Sequence, residues 1–185
     1  MRFADISPPA FDVDLDLRYA RAENFTGVPV YARAAAYLHP EAAEALRHAA
    51  AAALRLGYRL RINDAYRPPE AQWRLWQHTP DPDFLTHPDR GSPHSRGVAV
   101  DLTLLDADGR ELDMGTPFDA FTPASHHGHA GVGRDAQRHR MLLLGLMTES
   151  GWDFYRKEWW HYQLFNARER FPLVPDGEAC PPLMG

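Results

Sequence analysis

At 185 residues, with 44% hydrophobic and 24% charged side chains, the chain has the length and balance of one folded domain and is long enough to bury a core. Its 20 Lys and Arg against 25 Asp and Glu leave a net charge of −5 with no basic run, which argues against a nucleic-acid partner. The longest strongly apolar stretch, around Met141–Met147, falls far short of the roughly 20 residues that cross a bilayer, so no membrane partner is expected either.

The N-terminus runs through Pro8, Pro9 and the aspartates 12, 14 and 16 before Arg18, without the apolar core of a secretory signal, and this leads to an expected cytoplasmic location. The single cysteine, Cys180, cannot form an internal disulfide, which agrees with a reducing compartment. Residues 1–37 show little helical period and are expected to be an extended segment on or pinned into the domain. Pro40 and Glu41 followed by the Ala-rich run to Leu56 predict a helix that stops at Gly57. Tyr58–Asn63 alternates as a half-buried strand, and a short helix follows through Trp73 and Trp76. Thr79–Pro93, with four prolines and Gly91, predicts a long loop. Gly97–Leu104 reads as a buried strand turning at Asp106–Gly109 into a hairpin whose return begins at Arg110–Leu112. After a Gly- and Pro-rich stretch, Asp135–Ser150 predicts a helix ended by Gly151, and Trp159–Phe165 predicts a last strand. The five tryptophans, 73, 76, 152, 159 and 160, are expected to fill the core. Residues 166–185 form a Pro-rich tail, and the whole of 1–185 is expected to be one domain.

Two short patterns carry chemistry. In Ser92-Pro93-His94-Ser95-Arg96-Gly97-Val98-Ala99-Val100-Asp101, a histidine on a loop end precedes an aspartate inside an apolar strand. Their odd separation would put them on opposite faces of an unbroken strand, so a shared role requires a turn or bulge, which Gly97 permits. Buried between Val100 and Leu102, Asp101 needs compensation, either from a cation shared with His94 or from backbone and Arg96; the residues alone leave both open. Glu158-Trp159-Trp160-His161 poses the same problem of parity, and a surface Glu beside an aromatic core strand is its plain alternative. Together, His94, Asp101 and His161 make a His/His/Asp set that suits zinc better than magnesium or calcium, with Glu158 left over as a general base. His126, His127 and His129 invite a second metal site, but no Cys or carboxylate completes one, and a supporting role for one of them is the favoured reading.

The motif Ser-x-His-x-x-Gly-x-Ala-x-Asp at Ser92–Asp101 and Glu-x-x-His at Glu158–His161 resembles the zinc D-alanyl-D-alanine dipeptidases of the vancomycin-resistance type. Asn24–Gly27, Asp64–Pro68, Met114–Asp119 and Ser125–His127 are similar to that family too, so the resemblance covers about residues 15–165. It implies an α+β domain of the hedgehog/D-alanyl-D-alanine peptidase type, with a mainly antiparallel central sheet and packed helices. It further implies one zinc per chain on His94, Asp101 and His161, Glu158 as the base toward an attacking water, and Arg67 stabilising the oxyanion. Asp119 is the implied partner of the substrate ammonium, with Tyr19 and Ser92 as further substrate contacts, Ser92 toward the carboxylate.

The expected activity is hydrolysis of the free dipeptide D-Ala-D-Ala, a small-molecule substrate, in peptidoglycan precursor removal with glycopeptide resistance or in D-alanine recycling. Two rivals are a D,D-carboxypeptidase acting on longer peptides and a non-catalytic zinc-binding module. Asp119 and the absent signal count against the first, Glu158 and Arg67 against the second. A homo-oligomer is left open.

Overall fold

The computed structural model describes residues 1–184. The N-terminal segment is woven into the domain: strands β1 (Ala4–Asp5) and β3 (Tyr37–Leu38) pair antiparallel, and β2 (Val13–Leu15) joins the main sheet. The sequence shows no period there because the strands are too short to alternate visibly. Helix α1 (Pro40–Arg55) starts with Pro40 in its first turn, where a missing N–H is harmless, and His39 Nδ1 accepts from the backbone N–H of Glu41. Its Ala-rich side is buried with Leu46, and Gly57 ends it at φ 81°.

Strand β4 (Arg59–Asp64), helix α2 (Pro69–His78), strand β5 (Ala99–Leu105), helix α3 (Arg134–Glu149) and strand β7 (His161–Leu164) follow the expected order. Strand β6 (Trp152–Phe154), between α3 and β7, and the short α4 (Ala167–Arg170) were not anticipated. The last strand starts at His161; Trp159 and Trp160 sit in the turn before it. The expected hairpin is also reduced. Asp106 Oδ1 accepts from the N–H groups of Asp108 and Arg110, but pairing ends after the single bridge Leu105–Glu111, since Gly115 and Pro117 soon lead the chain away.

The main sheet has the order β2-β4-β5-β7-β6, with β2-β4 parallel and every other pair antiparallel, so it is mixed and mainly antiparallel. Helices α1 and α3 touch one another and cover one face, on which Leu60, Ile62, Val100, Leu102, Leu104, Tyr162 and Leu164 meet Leu46, Leu143 and Met147. Because side chains alternate along a strand, the intervening residues Asp101, His161 and Gln163 point to the other face. A second apolar cluster joins α2 through Ala71 and Leu75 to Tyr19, Tyr31 and Tyr66 and to Ala179 and Leu183 near the C-terminus. The C-terminal segment is therefore part of the packing. Trp152, Trp159 and Trp160 are buried as expected, but Trp73 is 40% exposed and Trp76 only half-buried, because α2 offers its apolar side at Ala71 and Leu75 instead.

Candidate active site

The parity problem of the two motifs is resolved by turns. His94 opens a one-turn 3-10 helix, His94–Arg96, and Gly97 leaves it in the left-handed conformation at φ 68°, so the strand starts two residues later and presents Asp101 toward His94. Likewise Glu158 lies in the turn before β7, whereas His161 is its first residue and stands directly opposite Asp101 in the antiparallel ladder. A register shift between Ile62 and Asp64 sets Asp64 beside Asp101 on the other flank.

Three acceptor atoms converge. His161 Nδ1 is 3.1 Å from both Asp101 Oδ1 and His94 Nε2, and His94 Nε2 is 3.3 Å from Asp101 Oδ1. His94 Nδ1 donates to the carbonyl of Ala65 at 2.6 Å and His161 Nε2 donates to Gln163 Oε1 at 3.1 Å, which leaves the inward nitrogens as bare lone pairs. Two lone pairs and a carboxylate facing each other in a buried site repel unless a cation sits among them. Bonds of about 2.0–2.1 Å in a tetrahedron separate donor atoms by about 3.3 Å, so the spacing fits a small divalent metal. Among the described residues these three form the one group able to hold a metal; His126, His127 and His129 do not assemble.

Around them lies a cleft of about 530 Å³ whose lining includes Tyr19, Arg67, Ser92, Asp119 and Glu158. Glu158 is buried, with Oε2 3.8 Å from His161 Nδ1, and burial, then the charges of Asp101 and Asp119, push its carboxyl well above the usual range. Arg67 is fixed by Asp64 (Nε and Nη2 to Oδ2, both 2.8 Å), by Gln72 (Nη1–Oε1, 3.0 Å) and by Asp101 (Nη2–Oδ2, 3.2 Å). These bonds leave one Nη1 hydrogen for the cleft. Tyr19 lies under the Arg67 guanidinium, 5.0 Å from ring centre to Cζ, and its hydroxyl donates to Asp119 Oδ2 at 2.9 Å. Asp119 holds a left-handed backbone at φ 59°, and burial, then the nearby Asp101, raises its pKa to about 8. Ser92 is buried and its Oγ accepts from the His94 N–H. All eight residues singled out in the sequence thus line one cleft.

Three participants went unassigned. Asp64 is 1% exposed and bonds both Arg67 and the Tyr31 hydroxyl; Gln72 bridges Arg67 to the Thr86 carbonyl; Gln163 sets the tautomer of His161. For Gln163 a signal existed, since it lies two residues beyond His161 on one strand face.

Inward lone pairs, an adjoining carboxylate and an open cleft fit the requirements of a metal-dependent hydrolase. Residues 2–176 match the profile of the peptidase M15 family described as D-ala-D-ala dipeptidase. A D-alanyl-D-alanine dipeptidase of Escherichia coli K12 is 44% identical over 169 residues, covering 91% of this chain and 87% of that one. Another from Enterococcus faecalis V583 is 38% identical over 173 residues, covering 82% and 85%. Among solved structures, an LdcB LD-carboxypeptidase aligns with TM-score 0.46 and 21% identity over 72% of this chain and 62% of that one. The chain belongs to the peptidase M15 D-Ala-D-Ala dipeptidase family.

Proposed function

We propose that this chain hydrolyses the free dipeptide D-alanyl-D-alanine to two molecules of D-alanine, using one zinc ion held by His94, Asp101 and His161. The observation that carries the reading is the placement of the Asp119 carboxyl, bonded by the Tyr19 hydroxyl, in the same cleft as the three convergent acceptors and Glu158, where an incoming ammonium would favour its ionised form. A dipeptidase must measure a free ammonium as well as a scissile bond, and that carboxyl supplies the measure. Family membership supports the same substrate.

A bound zinc ion would supply Lewis acidity, acidifying water and polarising the peptide carbonyl. The chain's own groups do the rest. Asp119, with the Tyr19 hydroxyl on one oxygen, takes the ammonium, and Ser92 donates toward the substrate carboxylate at the other end. Glu158 removes a proton from the attacking water and passes it to the departing amine, so that the C–N bond breaks, the water oxygen stays on the new carboxylate and the proton leaves with the second alanine. The remaining Arg67 hydrogen meets the carbonyl oxygen as negative charge develops there, and Asp64 and Gln72 hold the guanidinium so that it need not reorganise. Residues 1–185 act as one catalytic unit. A cytoplasmic location is part of this reading, and cell fractionation checks it.

The test is alanine release by the zinc-loaded protein from D-Ala-D-Ala, L-Ala-L-Ala, N-acetyl-D-Ala-D-Ala and a pentapeptide ending in D-Ala-D-Ala, with an EDTA control and metal counted per chain. Cleavage of the first alone, abolished by EDTA, is expected. Release from the blocked or long peptides makes the enzyme a carboxypeptidase, and no release from any makes the site a non-catalytic metal-binding module.

A further inference from the structure

Arg140, on α3, is 1% exposed, and its partners are neutral oxygens. Nε donates to the Met114 carbonyl at 2.6 Å, Nη1 to the carbonyls of Ala124 and His126 at 2.9 and 3.1 Å, and Nη2 to Thr116 Oγ1 at 3.4 Å. Burying a guanidinium without a carboxylate in direct contact is unfavourable, with Asp113 supplying only a more distant negative charge, and a methionine would fill the space without that desolvation. What only the guanidinium provides is the joining of four acceptors that lie far apart along one segment.

That segment is 114–126. One planar group binds both of its ends, and between them it presents Asp119. The same segment and the residue after it grip the turn that carries Glu158: Trp159 N–H donates to the Ser125 carbonyl at 3.1 Å, Trp159 Nε1 to Thr116 Oγ1 at 2.8 Å, and His127 N–H to the Arg156 carbonyl at 3.0 Å. Thr116 Oγ1 is shared between Trp159 and Arg140, and the guanidinium lies 5.9 Å from the centre of the Trp159 ring. The ammonium pocket and the base thus stand on two remote stretches of chain, and Arg140 is the group both stretches lean on.

We infer that Arg140 is a positioning residue that clamps the 114–126 segment, and through it sets Asp119 and Glu158 at a fixed distance from each other for a free dipeptide. The inference rests on the dipeptidase reading for its kinetic consequence but not for its structural one, and the experiment separates the two. Arg140→Met, Arg140→Lys and Thr116→Val are compared with the unchanged chain, each with its metal content measured, well below its unfolding temperature. The metal ligands lie on β5, β7 and the His94 turn, so metal content stays at the level of the unchanged chain. In Arg140→Met, KM for D-Ala-D-Ala rises at least tenfold and kcat falls; Arg140→Lys keeps the charge but cannot reach both ends, so it does not restore KM; Thr116→Val raises KM about threefold.

A role in stability alone would lower the active fraction, and hence kcat, with KM unchanged. Amide exchange gives the second readout: the N–H groups of Ser125, His126, His127 and Trp159 exchange at least tenfold faster in Arg140→Met, and those of β5 do not. Should Arg140→Met fail to fold, Thr116→Val carries both measurements. Unchanged KM together with unchanged exchange in these segments overturns the inference. If the unchanged chain fails to cleave the dipeptide, the proposed function falls, and the exchange result alone still decides whether Arg140 holds the two segments.

Discussion

Gln163 determines which nitrogen of His161 faces the metal position. By accepting from Nε2 at 3.1 Å it holds the proton there and leaves Nδ1 bare, as the Ala65 carbonyl does for His94 by accepting from Nδ1. Replacing it with leucine releases that proton to either nitrogen. Gln163→Leu is therefore expected to weaken metal affinity by about 10–100-fold, measured by competition with a calibrated chelator, with the fold intact. Glu158 behaves oppositely, because it stands next to the ligand atoms without belonging to them. Glu158→Gln keeps the shape, loses the proton acceptor and should lower kcat by about 100- to 10,000-fold while metal stays bound, whereas His161→Ala loses both. A Glu158→Gln enzyme of near-normal rate would remove it as the base. At this scale the sequence was most legible: residue type and spacing singled out His94, Asp101, Glu158 and His161. The supporting shell was less so, because Gln and Asp are common residues and nothing in the spacing of Asp64, Gln72 and Arg67 shows that they form a single network.

Between residue and fold, the decisive events are turns. A strand alone would have set His94 and Asp101 on opposite faces, and the 3-10 turn ending in a left-handed Gly97 brings them together. A Cβ at Gly97 would stand 2.5 Å from the Phe3 ring and 3.2 Å from the His39 backbone nitrogen. Left-handed backbone and overpacking together predict that Gly97→Ala destabilises the protein by about 2–4 kcal/mol, read from denaturant melts, with weaker metal binding. The 156–159 turn has its own sensitivity. His127, which bonds it through the backbone and packs on Phe154 at 5.2 Å, has its pKa lowered to about 4 by burial and then by Arg140. An unfolded histidine titrates near 6.5, so the neutral ring's contribution is whole above about pH 6.5 and is lost as pH falls toward 4. His127→Phe should flatten that part of the pH dependence of the thermal midpoint; an unchanged slope between pH 6.5 and 4 would count against it. Long elements such as α1, β4, β5 and α3 were readable because periodicity accumulates over many residues. The strands β1, β2, β3 and β6 are two or three residues long, and their pairing is set by distant partners.

Across the whole molecule, the site is a place where separate parts of the chain meet. Tyr19 and Tyr31 come from the N-terminal segment, the ligands from the sheet and the His94 turn, and Phe3 N–H bonds the carbonyl of Ala179 near the other end. Within this convergence three acceptors face each other at 3.1–3.3 Å, an arrangement that is repulsive when no cation compensates it. Metal binding and folding are accordingly coupled. A ligand that binds only the folded state stabilises it by about 4 kcal/mol at a free concentration a thousand times its Kd. For a chain of this length each kcal/mol moves the midpoint by about 2–4 °C, so stripping the metal with EDTA is expected to lower Tm by roughly 10 °C. Restored zinc should reverse the shift, and its size should grow with free zinc concentration until binding to the unfolded chain competes. In His161→Ala, where the acceptor cluster is broken, EDTA should move Tm by less than about 2 °C. Equal EDTA shifts in the two proteins would place the stabilising metal somewhere other than His94, Asp101 and His161.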